Sequence, residues 1–398
     1  AARPVMLSKQ ILLRGVGSGG RRCLSTVLED FPSTPATSPQ PRTVGAVSVT
    51  KLPSGLTVIT SPNTASSTVS LTIPGGSLAE LPSESGASLA ARFLAFTSAR
   101  GRSTLKTRRD LEDAGATTFT GHAREGLTMG YTCSPEYAEE LLTTLSQKTL
   151  YEPWDVSSAI SQSSLLGTSM STSPLLTLQD GIYSASYGPD TVAGRSVYGS
   201  PSPSSVQDYY ERVGSNAGVL SATGVDHASF VSAASSAFGE SSASGSTPPQ
   251  PTFNAGDYRL SADCAQAHIA VTFPAPSLAA GLVMKAHFDS GPFSGYSAAG
   301  LAGFYAVGDD GKELWTSVQE YVSGAAASAD LKAAKAAAKA AVMFGTESSY
   351  DLAMLLGAHG KGPEDVCKDI DAVKDVVVKG GSVAKVGKVD GVGGSRDL

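Results

Sequence analysis

The side chains of this 398-residue sequence that could do chemistry are scattered. Its five histidines (His122, His227, His268, His287 and His359) never recur at a spacing that sets two imidazoles on one helix face. The four cysteines, Cys23, Cys133, Cys264 and Cys367, lie roughly a hundred residues apart with no CxxC pair. Such usage excludes a local thiolate cluster or a disulfide framework and fits a reducing compartment. Asp226-His227 is an Asp–His neighbour pair, but adjacent residues on a helix point apart and Asp226 reads as a helix cap. No GxSxG elbow occurs. Cys133 and His122 fall on neighbouring expected strands, where a buried thiol and a satisfied imidazole are the ordinary outcome. Asp309-Asp310-Gly311 reads as a turn, because no calcium-loop pattern follows. Gly15, Gly17 and Gly20 spell GxGxxG without the preceding strand that a dinucleotide site requires.

The chain that must position these residues is long enough for two or three domains. Lys+Arg number 30 against Asp+Glu 36, a net charge of −6 with no basic stripe, which gives no electrostatic reason to bind nucleic acid. A hydrophobic content of 41% excludes disorder throughout. Residues 156–179 carry no charge at all, yet Ser, Thr, Gln and Gly fill more than half of them and Pro174 interrupts the run. No membrane-spanning helix is expected there or elsewhere.

Residues 1–23 hold Arg3, Lys9, Arg14, Arg21 and Arg22 and no acid, with Leu7, Ile11, Leu12 and Val16 able to line one side of a short helix. This is the composition of a mitochondrial transit peptide. A Pro/Ser-rich extension follows at 24–43. Strands are expected at 47–51, 56–60, 68–73, 117–124, 127–133 and 219–223. Helices are expected at 86–97, 107–114, onward from a cap at Ser134, behind Pro153 and Pro174, at 204–213 and at 226–238. The Gly/Ser/Pro run at 239–256 reads as a linker between a first domain at 44–238 and a second at 257–398. That second body opens with a strand at 268–273, followed by a helix at 277–288 and a strand at 300–307. Helices then follow at 313–322, at 330–344 behind a cap at Ser328, at 350–356 and at 363–376. The alternation implies an α+β fold with helices packed mainly on one face of each mixed sheet, and the repeated order suggests an internal duplication.

Four segments in order, LPSGLTVIT (52–60), GGS (75–77), GASLAARFLAFTS (86–98) and LEDAGATTFTGHARE (111–125), resemble the N-terminal domain of the pitrilysin-type (M16) zinc metallopeptidases. More narrowly they resemble its mitochondrial branch, the processing peptidase subunits and the core proteins of the cytochrome bc1 complex. In the second body Tyr296, Gly300-Leu301, Gly303 and Phe304-Tyr305 match a second-domain strand of that family, and 330–349 looks most like the second core protein. The resemblance spans roughly residues 45–398 and implies two related domains, the second shortened between Phe273 and Tyr296.

Active members of that family hold zinc with H-x-x-E-H, two imidazoles as ligands and a Glu as general base. The resemblance puts those places at Leu89, Arg92 and Phe93. Leu and Phe have no lone pair to donate, and a guanidinium repels a dication. The family's third ligand, a Glu, is expected within 156–179, which has no acid. The implied reading is a chain without catalytic residues, metal or cofactor. As a matrix-facing peripheral subunit of the mitochondrial inner membrane it would be the second core subunit of a dimeric bc1 complex (complex III) of the respiratory chain. Its partners would then be the first core protein, cytochrome b, cytochrome c1 and the iron–sulfur protein. The alternative is the non-catalytic alpha subunit of the mitochondrial processing peptidase, which binds presequences.

Overall fold

The computed structural model describes residues 46–62, 66–99, 101–146, 151–214, 216, 218–239, 251–262, 264–298, 300–327, 331–374, 380–389 and 392–397. Contacts divide the chain into residues 1–43 and one compact unit, 44–398, in which all described residues lie. The expected transit peptide and extension, the GxGxxG glycines, Ser328 and residues 240–250 of the expected linker fall outside the described residues.

The unit begins with β1 (Ser48–Lys51), β2 (Thr57–Ser61) and β3 (Ser67–Pro74). Two helices, α1 (Ala87–Arg92) and α2 (Thr104–Asp113), precede the hairpin β4 (Thr117–His122) and β5 (Gly126–Cys133). Four helices follow, α3 (Leu142–Ser146), α4 (Pro153–Thr172), α5 (Pro174–Tyr187) and α6 (Pro203–Val213), then β6 (Val219–Thr223) and α7 (His227–Phe238). The second half holds β7 (Asp257–Ser261), β8 (Ala267–Pro274), α8 (Leu278–Asp289), β9 (Ser294–Ala298) and β10 (Leu301–Gly308). It closes with α9 (Gly311–Ala327), α10 (Leu331–Gly345), α11 (Ser349–His359), α12 (Pro363–Ala372) and β11 (Ser382–Gly387).

The strands make two sheets, ordered β1-β2-β6-β3-β5-β4 and β7-β11-β8-β10-β9. Among the described residues, only β2–β6 and β7–β11 pair in parallel. Strand for strand, β2-β6-β3-β5-β4 repeats as β7-β11-β8-β10-β9, and among the described residues four helices separate β5 from β6 and four separate β10 from β11. The duplication suggested by the sequence is therefore explicit in the topology.

Alternation places the first core. Val69, Leu71 and Ile73 of β3, with Leu127, Met129 and Tyr131 of β5, point to one face. There they meet Ala87, Ala90 and Leu94 near α1, Val206 and Tyr209 of α6, and Phe230 of α7. The opposite face is rich in hydroxyls: Thr68, Ser70, Thr72, Ser221 and Thr223. A helix from the other half covers it. Leu352 and Leu356 of α11 pack on Ile59 and Val219. Ser221 Oγ donates to the Ala353 carbonyl at 2.7 Å, which satisfies a buried hydroxyl that water cannot reach. The exchange is mutual. Leu178 and Ile182 of α5 cover Ala270, Ala384 and Val386 of the second sheet. Each sheet thus carries its own helices on one face and a single visitor on the other.

Small residues make the visits close. A Cβ at Gly357 would stand 2.8 Å from Thr72 Oγ1 and 3.4 Å from Ser221 Oγ. Gly357→Val should therefore cost about 1–3 kcal/mol by overpacking, read as a lower urea midpoint. An unchanged midpoint would show that α11 does not press on Thr72.

Several sequence expectations need correction. The helix expected at 86–97 ends at Arg92, since Leu94 and Thr97 close tight i−3 turns and Phe96 takes φ 61°. The helix expected from Ser134 is broken into a 3₁₀ turn, Pro135–Tyr137, and α3, and Ser134 makes no side-chain cap. Tyr131 Oη donates to the Ala138 carbonyl at 2.7 Å, the acceptor that a continuous helix would offer to residue 142. The second body opens on β7, not at 268, and β11 was not expected at all.

Candidate functional site

Gly86 starts α1 in the left-handed region at φ 84°, and a Cβ there would lie within 2.8 Å of the Gly199 backbone. That tight entry turns Ser88 and Arg92, one helical turn apart, toward β4. Thr120 and His122, two residues apart, face them from the strand. Two rungs result. Ser88 Oγ lies 2.9 Å from His122 Nε2, and Arg92 Nε donates to Thr120 Oγ1 at 3.3 Å.

Behind the first rung sits Glu80, buried. Its carboxylate accepts Ser88 N–H at 2.8 Å, Gly86 N–H at 3.2 Å and Ser88 O–H at 2.5 Å. With its proton given to Glu80, Ser88 accepts from His122, which fixes the imidazole as the Nε2–H tautomer. The order is carboxylate, hydroxyl, imidazole. The hydroxyl is fully buried in the middle, where no substrate can reach it, so this is a structural relay and not a nucleophilic triad. Burial pushes the Glu80 carboxyl up, against the hydrogen bonds from Ser88 and Gly86. Burial, then Arg124 and Arg92, pulls His122 down to about 4.

A pH dependence follows. The folded state keeps His122 neutral, whereas in the unfolded chain it takes a proton near 6.5. Its contribution is complete above about pH 6.5 and is lost as pH falls toward about 4, on the order of 3 kcal/mol in all. Glu80, raised, acts in the opposite sense: its stabilisation is greatest at acid pH and fades as pH rises through its folded value. His122→Gln should flatten the acid decline between pH 6.5 and 4, measured as urea midpoints across that range. A decline as steep as the parent's would reject the assignment.

Of the three positions that the resemblance assigns to zinc chemistry, Leu89 is buried, and Arg92 lies with its guanidinium carbon 5.3 Å from the centroid of the Phe93 ring. An aliphatic group, a guanidinium and a phenyl ring do not fit a zinc ion. Residues 156–179 form most of α4 and the first turns of α5. The nearest acid before them, Asp155, instead accepts from Ser98 N–H at 3.3 Å. Among the described residues, no three His, Cys, Asp or Glu side chains gather to hold a metal ion.

The other sequence candidates separate. Asp226 caps α7 by accepting Ser229 N–H at 3.0 Å, while His227 lies between Thr50 Oγ1 and Thr60 Oγ1 at 2.8 Å each. Cys133 pairs with Ser67 at one end of β5, and His122 faces Leu127 at the other. Burial lifts the Cys133 thiol to about 11. Asp310 closes its turn by accepting Lys312 N–H at 2.8 Å.

Arg124 lies within the 111–125 segment but nothing in the sequence singles it out, yet it is almost fully buried beside this site. Its Nη1 donates to the Ala193 and Arg195 carbonyls at 2.9 and 2.8 Å, and Nη2 donates to Asp180 Oδ1 at 2.5 Å. Its guanidinium also lies 4.0 Å from the centroid of Tyr183, so it binds α5 to the β4–β5 turn.

Residues 56–164 match the family described as Insulinase (Peptidase family M16), a span running from β2 into α4. The chain is 26% identical over 239 residues to the mitochondrial-processing peptidase subunit alpha of Solanum tuberosum, covering 57% of this chain and 47% of that protein. It is 27% identical over 241 residues to the probable mitochondrial-processing peptidase subunit alpha-2, chloroplastic/mitochondrial, of Arabidopsis thaliana, covering 57% and 48%. The chain therefore spans about half the length of the curated relatives it matches. No helix among the described residues is long and apolar enough to cross a membrane.

Proposed function

We propose that this chain is the non-catalytic subunit of a two-subunit M16-type peptidase of the mitochondrial matrix, binding presequences beside a partner that holds the zinc. The likeness to two processing peptidase alpha subunits carries this reading. The side chains of Leu89, Arg92 and Phe93 support its non-catalytic half, because they offer neither ligand nor general base. The chain then needs no cofactor of its own, and its contribution is to bind and orient a peptide. Co-expression with a subunit bearing an intact H-x-x-E-H motif tests it. The expected result is a stable pair whose zinc and presequence cleavage disappear when the partner's motif is mutated. Stoichiometric zinc and peptidase activity in this chain alone would overturn the proposal.

A second reading rests on the second half. The segment 330–349, which resembles the second core protein, favours a core subunit of the bc1 complex at the inner membrane. Its partners would be the first core protein, cytochrome b, cytochrome c1 and the iron–sulfur protein. The mass of the native assembly from gently solubilised inner membrane separates the two. A particle carrying cytochromes supports the second reading, and a pair free in the matrix the first.

A further inference from the structure

Arg92 is a partly buried cation whose hydrogen-bonding capacity is unevenly used. Nε is engaged by Thr120 Oγ1, and the guanidinium lies over the Phe93 ring, which fixes its orientation. Its two terminal amino groups meet no acceptor among the described residues. Three acids of this half are committed elsewhere. Glu80 is turned onto Gly86 and Ser88, Asp155 onto Ser98 and Thr104, and Asp180 onto Arg124. The next rung of the same face, His122, is held neutral by burial and by two guanidiniums, an independent sign that this corner is electropositive.

We propose that Arg92 is an oxyanion subsite that takes a carboxylate on its two terminal amino groups. Thr120 sets the angle of the fork, and the Phe93 ring supplies an apolar wall that strengthens the charge-assisted bonds. The position that the family resemblance gives to a general base would then have reversed its charge preference, from holding a dication's water to receiving an anion. The carboxylate can come from the free end of a peptide or from an acidic side chain, and the two share this recognition chemistry.

The test uses the full chain without any partner, so it stands or falls separately from the subunit reading. The Thr120 backbone amide resonance, which every variant retains beside the fork, is followed by NMR while acetate, or acetamide as the uncharged control, is added. Acetate should shift it saturably and acetamide should not. Arg92→Gln should weaken acetate binding at least about tenfold, and Arg92→Lys, which keeps the charge but loses the planar fork, should retain only part of it. Intact far-ultraviolet spectra for both variants guard against misfolding. One peptide is then compared as free acid, as C-terminal amide, and as an amide carrying one Asp. Preference for the free acid assigns a chain end, and preference for the Asp peptide assigns a side chain. Equal response to acetate and acetamide, or binding unchanged in Arg92→Gln, overturns the proposal.

Discussion

Arg124→Ala should lower the unfolding free energy by about 3–5 kcal/mol, the cost of breaking a buried ion pair by removing one partner. The guanidinium side chain is 7% exposed and that of Asp180 20%, so water can replace little of what is lost. Two backbone carbonyls, of Ala193 and Arg195, lose their donor in the same step. Urea unfolding measures the total. Amide exchange should show the first opening where α5 and the 193–195 segment leave the β4–β5 turn. Arg124→Lys should recover little, because a single ammonium cannot reach both carbonyls and the carboxylate. A loss below 1 kcal/mol would mean that the pair is solvated.

Phe304→Ala should cost a similar amount, about 3–5 kcal/mol, for a different reason. Phe304 has no exposed surface, and three rings surround it: Phe288, Phe293 and Tyr321, with centroids 5.2–5.3 Å away. Truncation leaves a void that those rings, each anchored on a different element, cannot close together. Thermal unfolding should show a clearly lower midpoint, and Phe304→Leu should restore part of it. A midpoint unmoved by alanine would mean that this core collapses freely around the gap.

How far the sequence reveals all this depends on where the cause of each feature lies. β3 and β5 are legible because Val69, Leu71 and Ile73 alternate with Thr68, Ser70 and Thr72, and the period alone names the strand. β11 hides because Lys385 interrupts an apolar run. Its ammonium reaches the Gly393 carbonyl and lies over the Trp315 ring, and both partners are invisible from the local pattern. β7 hides for a related reason, since Asp257 and Arg259 make it look like loop. At the candidate site, Leu89, Arg92 and Phe93 could be placed by motif, but the Glu80–Ser88–His122 relay could not. It depends on a left-handed glycine at 86 and on the register of an edge strand. The helix at α11 was expected near its observed place, yet its role was not, because hydroxyls on a strand read as solvent-facing until another helix is seen to cover them.

The traded helices also set the order in which the molecule can be completed during synthesis. A nascent chain that has emerged through residue 238 has all six strands of the first sheet, but Ile59, Ser221 and Thr223 still face the ribosome's surroundings. Only when residues 349–359 appear, more than a hundred codons later, does that side become dry. Until then the early half is a natural client for whatever escorts unfinished polypeptides.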